Sequence, residues 1–463
     1  MSRRHLTARR AARIPSPAAE SPWRESHEGA GPGVAAGTGA RLNAECRKVQ
    51  RVYLTLELLH TLAASFIWGV NTLFLLDAGL SNAEAFAANA FFTAGLVLFE
   101  VPTGVVADTR GRRTSYLLGT LTLAASTLLY LWMWRISAPF WAWALASALL
   151  GLGFTFFSGS VEAWLVDALA ASGFDGKLES VFAKGEIVQG AAMLGGSVAG
   201  GAIAQATNLG IPYVLRVVVL ALTFLCAFVW MRDLGFTPSG GKRPLAEVKR
   251  ILRGSIQHGL ANPPVRWVML AAPFAGGVMI YAFYAMQPFL LELYGDEEAY
   301  AIAGLAAAIF AGAQIVGGLS VSQVGRVFRR RTSVLLAGGA SGSVILATIG
   351  LLPTFWTVLA LLVLWSLLVS AVTPVRQAYL NGLVPSDQRA TVLSFDSMLA
   401  SSGGVVFQPV LGRAADAWSY PASYLLAAAI DALALPFLWL ARQQETGADS
   451  IPAEPATEGA TSA

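Results

Sequence analysis

Residues 101–121 read VPTGVVADTRGRRTSYLLGTL. An apolar run leads into this stretch, Asp108 interrupts it, three arginines follow within four positions (Arg110, Arg112 and Arg113), and a second apolar run leads away. Gly104 and Gly111 flank the charges. The runs on either side are about 20 residues long, enough to cross the hydrocarbon of a bilayer. The cluster therefore reads as a tight polar loop between two transmembrane helices, and the rest of the chain follows the same plan.

Of the 463 residues, 55% are hydrophobic and 13% charged, against about 25% charged in a soluble domain. A chain this poor in charge cannot cover a water-facing surface, so its solvent is lipid. Trp132, Trp134, Trp141 and Trp143 lie near the ends of apolar runs, where an interfacial belt belongs. Cys46 and Cys226 are far apart, which argues against a disulfide, and the sequence shows no metal-ligand spacing, nucleophile motif or phosphate loop. Neither an enzyme nor a cofactor is predicted. The net charge of +4 gives no reason to expect nucleic acid, because the basic residues fall in loops whose placement membrane topology explains.

Apolar runs of spanning length recur twelve times. They divide the chain into a disordered basic tail (1–50), a first six-helix bundle (51–231), a linker (232–265), a second six-helix bundle (266–441) and a second disordered tail (442–463). With the N-terminus inside, the cytoplasmic loops receive Arg110, Arg112, Arg113, Lys177, the basic residues of the linker, Arg326, Arg329, Arg330, Arg331, Arg389 and Arg442. The opposite side keeps little beyond Arg135 and Arg413 and collects Asp296, Glu297 and Glu298. This asymmetry predicts a multi-pass protein of the cell (inner) membrane with both termini cytoplasmic. In the linker, Leu245, Val248, Leu252 and Ile256 repeat at helical spacing with Lys249, Arg250 and Arg253 on the other flank, predicting an amphipathic helix on the inner membrane face.

The chain also repeats itself. GVVADTRGRRTSYLLG from Gly104 overlies GLSVSQVGRVFRRRTSVLLAG from Gly318, with the same step between the two glycines of each copy. VEAWLVDAL from Val161 overlies VRQAYLNGL from Val375, placing Glu162 over Arg376 and Asp167 over Asn381. FLLDAG from Phe74 overlies FLLELYG from Phe289, placing Asp77 over Glu292. Each pair joins helix n to helix n+6. The fold class predicted is thus an all-α membrane protein of twelve transmembrane helices in two six-helix bundles of the same topology, the parallel-repeat plan of secondary transporters.

At this point the chain resembles the major facilitator superfamily, in particular its bacterial, drug-efflux-like members. The family signature between helices 2 and 3 is matched by Gly104, Asp108, Arg110, Gly111, Arg112 and Arg113, and FEVPTGVVAD, SGSVEAWLVD and RATVLSFDS are similar to stretches common in bacterial members. The resemblance covers roughly 50–442 and implies alternating access by rocking of two bundles about a central site. It further implies a conformational latch. Asp108 would meet the N-terminus of helix 11, near Thr391, in the outward-open state, Arg112 would pair with Asp167 on helix 4, and Gly104 would permit close helix packing. The second copy has Ser322 in place of the acid. On helix 5, GSVAGG (Gly196 to Gly201) is similar to the drug-antiporter signature, but Ser197 replaces its proline and Ala192 stands where a glycine is expected; a small-residue packing face against helix 8 is the alternative.

Ionisable residues inside a membrane suggest function. Glu100, Glu162 and Arg376 are the candidate proton or substrate site, with Glu162 and Arg376 expected to face each other or a shared cavity across the pseudo-twofold. Glu57 and His60, three residues apart on one helical face, form a secondary candidate, as does Asp396, a possible partner of Arg376. Proton coupling requires a carboxylate buried enough to bind a proton near neutral pH, and Glu100 and Glu162 are the first choices. The expectation is a monomeric, proton-coupled exporter of small organic molecules. An uptake symporter for a polar or anionic metabolite, held by Arg376, is the alternative.

Overall fold

The computed structural model describes residues 32–238, 244–386 and 388–451; the expected basic tail at 1–31, linker positions 239–243 and the terminal residues 452–463 lie outside the described residues. Seventeen α-helices follow one another without a named strand among the described residues. The first span is α1 (Pro32–Trp68) and α2 (Asn71–Asp77), bent by 47° at the break between them. Next come α3 (Asn82–Arg110), α4 (Arg112–Arg135), α5 (Phe140–Thr155) with α6 (Ser160–Ala171), α7 (Leu178–Ala206) and α8 (Gly210–Trp230). A linker helix, α9 (Pro244–Ser255), leads to α10 (Pro263–Tyr294), α11 (Tyr300–Leu319), the short α12 (Val321–Val327), α13 (Arg331–Leu351), α14 (Phe355–Leu383), α15 (Arg389–Ala417), and α16 (Tyr420–Ala432) with α17 (Ala434–Arg442). Eleven of these spans are each long and apolar enough to cross a membrane, and the bent first pair makes the twelfth.

Local chemistry sets the ends of these helices. Ser81 caps α3 in a reciprocal box with Glu84. The same helix stops at Arg110 because Gly111 takes φ 104°, a conformation that side chains other than glycine rarely adopt. Pro263 and Pro264 open α10, and Gly295 closes it in the left-handed conformation. The span made of α5 and α6 is interrupted at 156–159, where Gly159 has φ 66°.

Helix packing shows the repeat in three dimensions. In the first half, α1 packs on α7 and α8, α3 on α5, and α4 on α5 and α8. Six spans later, α10 packs on α15 and on the α16–α17 span, α11 on α14, and α13 on α14 and α16. Every major neighbour pair in one half has its counterpart in the other. The register agrees too: Phe74 stacks on Tyr213 at 4.0 Å, and Phe289 lies 5.3 Å from Tyr424. The halves meet along two seams, α3 with α15 and α7 with α11, which are repeat images of each other. The short turns at 78–81, 136–139, 207–209, 295–299, 352–354 and 418–419 lie at one end of the bundle, called here the far end; the first described residues and the C-terminal segment lie at the terminal end.

Three expectations change. Helix α1 begins at Pro32, inside the segment expected to be disordered, and Cys46 and Val49 are buried, with the Cys46 thiol donating to the carbonyl of Ser172. The C-terminal segment is ordered as far as Ile451, because Asp449 is buried and hydrogen-bonded to α13. Trp143 is fully buried, its indole donating to the Ala138 carbonyl, whereas Trp132 and Trp141 are exposed as belt residues would be. The linker helix forms at α9, followed by one π-helical turn (Ile256–Leu260). It is docked on the bundle: Ser255 is buried and its hydroxyl donates to the Thr391 carbonyl, at the start of α15.

Candidate functional site

The charged loop between α3 and α4 is held by a residue that the sequence reading did not single out. Asp233, three residues past the end of α8, accepts from the backbone N–H of Arg113 at 2.9 Å, and its carboxylate fills the space where a Cβ on Gly111 would lie. An anion at a helix N-terminus gains from the free N–H groups and the helix dipole. Arg113 also donates to the Phe228 carbonyl at 2.6 Å, over whose ring its guanidinium sits. Arg112 pairs with Asp108 at 2.7 Å, one turn earlier, rather than with Asp167. The Asp167 carbonyl faces Gly235, next to Phe236, whose ring lies under the Arg112 guanidinium. Arg110 is exposed at the end of α3. Gly104 faces open space, so close packing does not require it in this conformation.

The second half repeats the device in different residues. Asp449, past the end of α17, accepts from the Thr332 backbone N–H at 2.8 Å and from its hydroxyl at 2.9 Å, at the start of α13. Arg331 donates to the Ala448 carbonyl, and Arg330 and Ser450 form an isolated antiparallel bridge. Each half thus has a carboxylate, placed after its sixth span, on the N-terminus of its third.

Within the spans, Arg376 and Asp396 form a two-pronged ion pair with N–O distances of 2.5 and 2.6 Å, and Arg376 also donates to the Val268 carbonyl. No ion pair joins Arg376 to Glu162 among the described residues. Glu162 is exposed in the first turn of α6 on the other half. Glu100 is half-buried and accepts from Ser158 at 3.1 Å. Glu57 is 7% exposed and accepts from the Gln189 side-chain amide at 2.7 Å. His60 stacks on Phe157 at 4.2 Å and meets Phe154 edge-on, while its Nδ1 is buried without a partner.

Arg216 went unnoticed in the sequence although it interrupts the sixth apolar run. It is 1% exposed, and donates to Thr127 Oγ1 at 3.1 Å and to the Ala63 carbonyl at 3.2 Å. It lies over the same Phe154 ring that His60 touches, and its Nη2 has no partner. The rule that intramembrane charge is informative would have found it.

The two seams differ in chemistry. Between α3 and α15, Gln408 donates to Thr93 at 3.3 Å, Asp416 accepts from the backbone N–H groups of Asn82 and Ala83 at 3.0 and 2.8 Å, and Tyr420 at the start of α16 donates to Asn82. Between α7 and α11, glycine faces glycine: a Cβ on Gly304 would lie 2.5 Å from the Ser197 carbonyl and 2.8 Å from Gly201 Cα. The GSVAGG stretch is thus a packing face, and it serves two helices, because side chains at Gly196 and Gly200 would strike Ser65 and the Phe66 carbonyl on α1. Gln287 adds a further tie between the halves, accepting from the Thr72 N–H and donating to the Trp68 carbonyl. The polar ties between Asn82, Asp416 and Tyr420 close the far end. Asp77, Glu292, Glu297 and Glu298 line a hollow there. At the terminal end Glu162, Lys184, Glu186 and Gln377 remain exposed.

The sequence profile of the Major Facilitator Superfamily matches residues 54–350 and 299–462. No curated protein sequence matches the chain. Among solved structures, the nucleoside transporter NupG superposes with a TM-score of 0.70 at 12% identity, covering 85% of this chain and 98% of that one. A bacterial homolog of the human lysosomal transporter Spinster, inward-facing and unoccupied, gives 0.64 at 16% identity over 89% and 99%. The POT family transporter PepTSo gives 0.67 at 12% identity over 86% and 98%. At these identities the likeness is one of fold.

Proposed function

Because the chain belongs to the Major Facilitator Superfamily and is a multi-pass secondary transporter, we propose that it exports small, largely apolar organic molecules in exchange for protons. The two halves rock about their seams, with both termini in the cytoplasm and Asp108 and Arg112 acting as part of a latch that rearranges between states. The observation that carries proton coupling is Glu57. Among the described residues three carboxylates are buried within the spans: Glu57, Asp396 and Asp431. Asp396 is neutralised by Arg376. Glu57 is held by a neutral amide alone, the setting of a carboxylate that can gain and lose a proton as access alternates. Glu57 therefore replaces Glu100 and Glu162 as the first choice. Arg376, engaged by Asp396, offers little to an anionic substrate, which removes the main support for the alternative of anion uptake.

The test uses the full chain in proteoliposomes carrying an internal pH dye, with a panel of small organic amines and neutral aromatics. The expected result is proton movement opposite to substrate movement, abolished by a protonophore. Glu57→Gln, which keeps the contact with Gln189, should lose pH-driven accumulation by at least tenfold while retaining substrate exchange. Protons moving with the substrate would overturn export, and accumulation insensitive to the protonophore would overturn coupling.

A further inference from the structure

A cavity of about 270 Å³ lies inside the second half, walled by α10, α13, α14, α15, α16 and α17. It does not lie between the halves: no residue of the first half lines it. Its walls are alanine, glycine and aliphatic side chains, with Met279, Thr373, Trp365, Arg376 and Asp431 as the exceptions. The two charged residues are not equivalent. Both Nη atoms of Arg376 are bonded to Asp396, so that pair is neutral. Asp431 is 7% exposed and takes a single side-chain donor, the Ser343 hydroxyl at 2.7 Å on Oδ2. No cation of the described residues lies within ion-pair distance of it, so the cavity carries one uncompensated carboxylate.

The space beside this carboxylate is kept open by a glycine. A Cβ on Gly342 would lie 3.4 Å from Trp365 Nε1 and 3.6 Å from Asp431 Oδ2, so the indole and the carboxylate border the same void. Gly338 and Gly339 line it on the same helix. A buried carboxylate in an otherwise apolar cavity selects for a cation with an apolar body: the charge is met by Asp431, and the remainder of the molecule replaces contacts that an empty apolar cavity forgoes. An anion would be repelled, and a sugar-like molecule would find too few partners for its hydroxyls.

We infer that this cavity is a binding site for a small organic ammonium ion, with Asp431 as counter-ion and Trp365 as its aromatic wall. The site stands apart from the export reading: walled by one half alone, it is not opened to alternate sides by rocking of the two halves.

The test is equilibrium binding of radiolabelled benzyltrimethylammonium to the full chain in lipid nanodiscs. Its competitor is neopentylbenzene, the same shape with carbon in place of the charged nitrogen. Saturable binding is expected, with the neutral competitor at least tenfold weaker. Asp431→Asn should weaken binding at least tenfold, Asp431→Glu should retain most of it, and Gly342→Leu should abolish it by filling the void. Glu292→Gln, a carboxylate removed at the far mouth, should leave it unchanged. Equal competition by the neutral molecule, or full-strength binding in folded Asp431→Asn, overturns the inference. Should Asp431→Asn fail to fold, the competition in the unaltered chain decides alone.

Discussion

Arg376 and Asp396 show what a charge pair within a span is for. Each Asp396 oxygen takes one guanidinium nitrogen, and Asp396 itself is 5% exposed. Removing one partner strands the other in a medium that solvates it poorly, at a cost of about 3–5 kcal/mol when both are buried. Arg376 retains some exposure, so Arg376→Ala should cost about 2 kcal/mol. The double variant Arg376→Met with Asp396→Leu should recover most of it, as read by thermal unfolding in detergent. If the double variant is as unstable as the sum of the singles, the pair is not the stabilising unit. Sequence alone indicated that Arg376 and Asp396 could be partners, because both interrupt apolar runs near the same end. It also suggested Glu162 facing Arg376 or sharing a cavity with it; the structure pairs Arg376 with Asp396 and leaves Glu162 exposed on the other half. Arg216 was missed because a lone arginine hidden in a long run of Leu and Val does not disturb its apolar signal.

At the scale of elements, the repeat recurs in function even where the letters differ. Asp233 and Asp449 sit at different distances after their spans, yet each places a carboxylate on the N-terminus of the helix three spans earlier. No alignment of the two loops would pair them, since the match lies in geometry and not in spacing. The two caps fasten the linker and the C-terminal segment to their bundles. Asp449→Ala should lower stability by about 1–2 kcal/mol, the range for losing a capping side chain, and truncation after Gln444 should cost at least as much. A truncated chain with an unchanged unfolding temperature would show that the segment is passive. The α7–α11 seam supports a second prediction. At Gly304 even a methyl group would meet backbone on α7. Gly304→Val should therefore push the two helices apart and raise the labelling rate of a cysteine placed at Ala83, at the far end, by severalfold; an unaltered rate would mean that the seam does not hold that end closed.

For the whole molecule, the twelve spans and their division into halves were legible from apolar run lengths and three weak internal matches. The bend in the first span and the docking of α9 were not, because both depend on tertiary neighbours rather than on local pattern. Rocking of rigid halves makes a direct prediction. Thr93 and Gln408 are hydrogen-bonded across the α3–α15 seam at 3.3 Å. Cysteines at these two positions, in a chain with Cys46 and Cys226 replaced by serine, should be joined by a short bifunctional thiol reagent, and the joined protein should transport nothing until the link is reduced. Normal flux through a fully cross-linked protein would exclude rocking about these seams.

The unlike chemistry of the two seams has a mechanical consequence. Glycines pressed backbone to backbone, as Gly201 and Gly304 are, can roll against each other with few bonds to exchange, whereas the Asp416, Gln408 and Tyr420 contacts must be broken one by one before α3 and α15 can part. One side of the molecule is a hinge and the other a catch. The far end should therefore open as a wedge, swinging about the α7–α11 edge. Spin-label distances across that end should lengthen more between α3 and α15 than between α7 and α11.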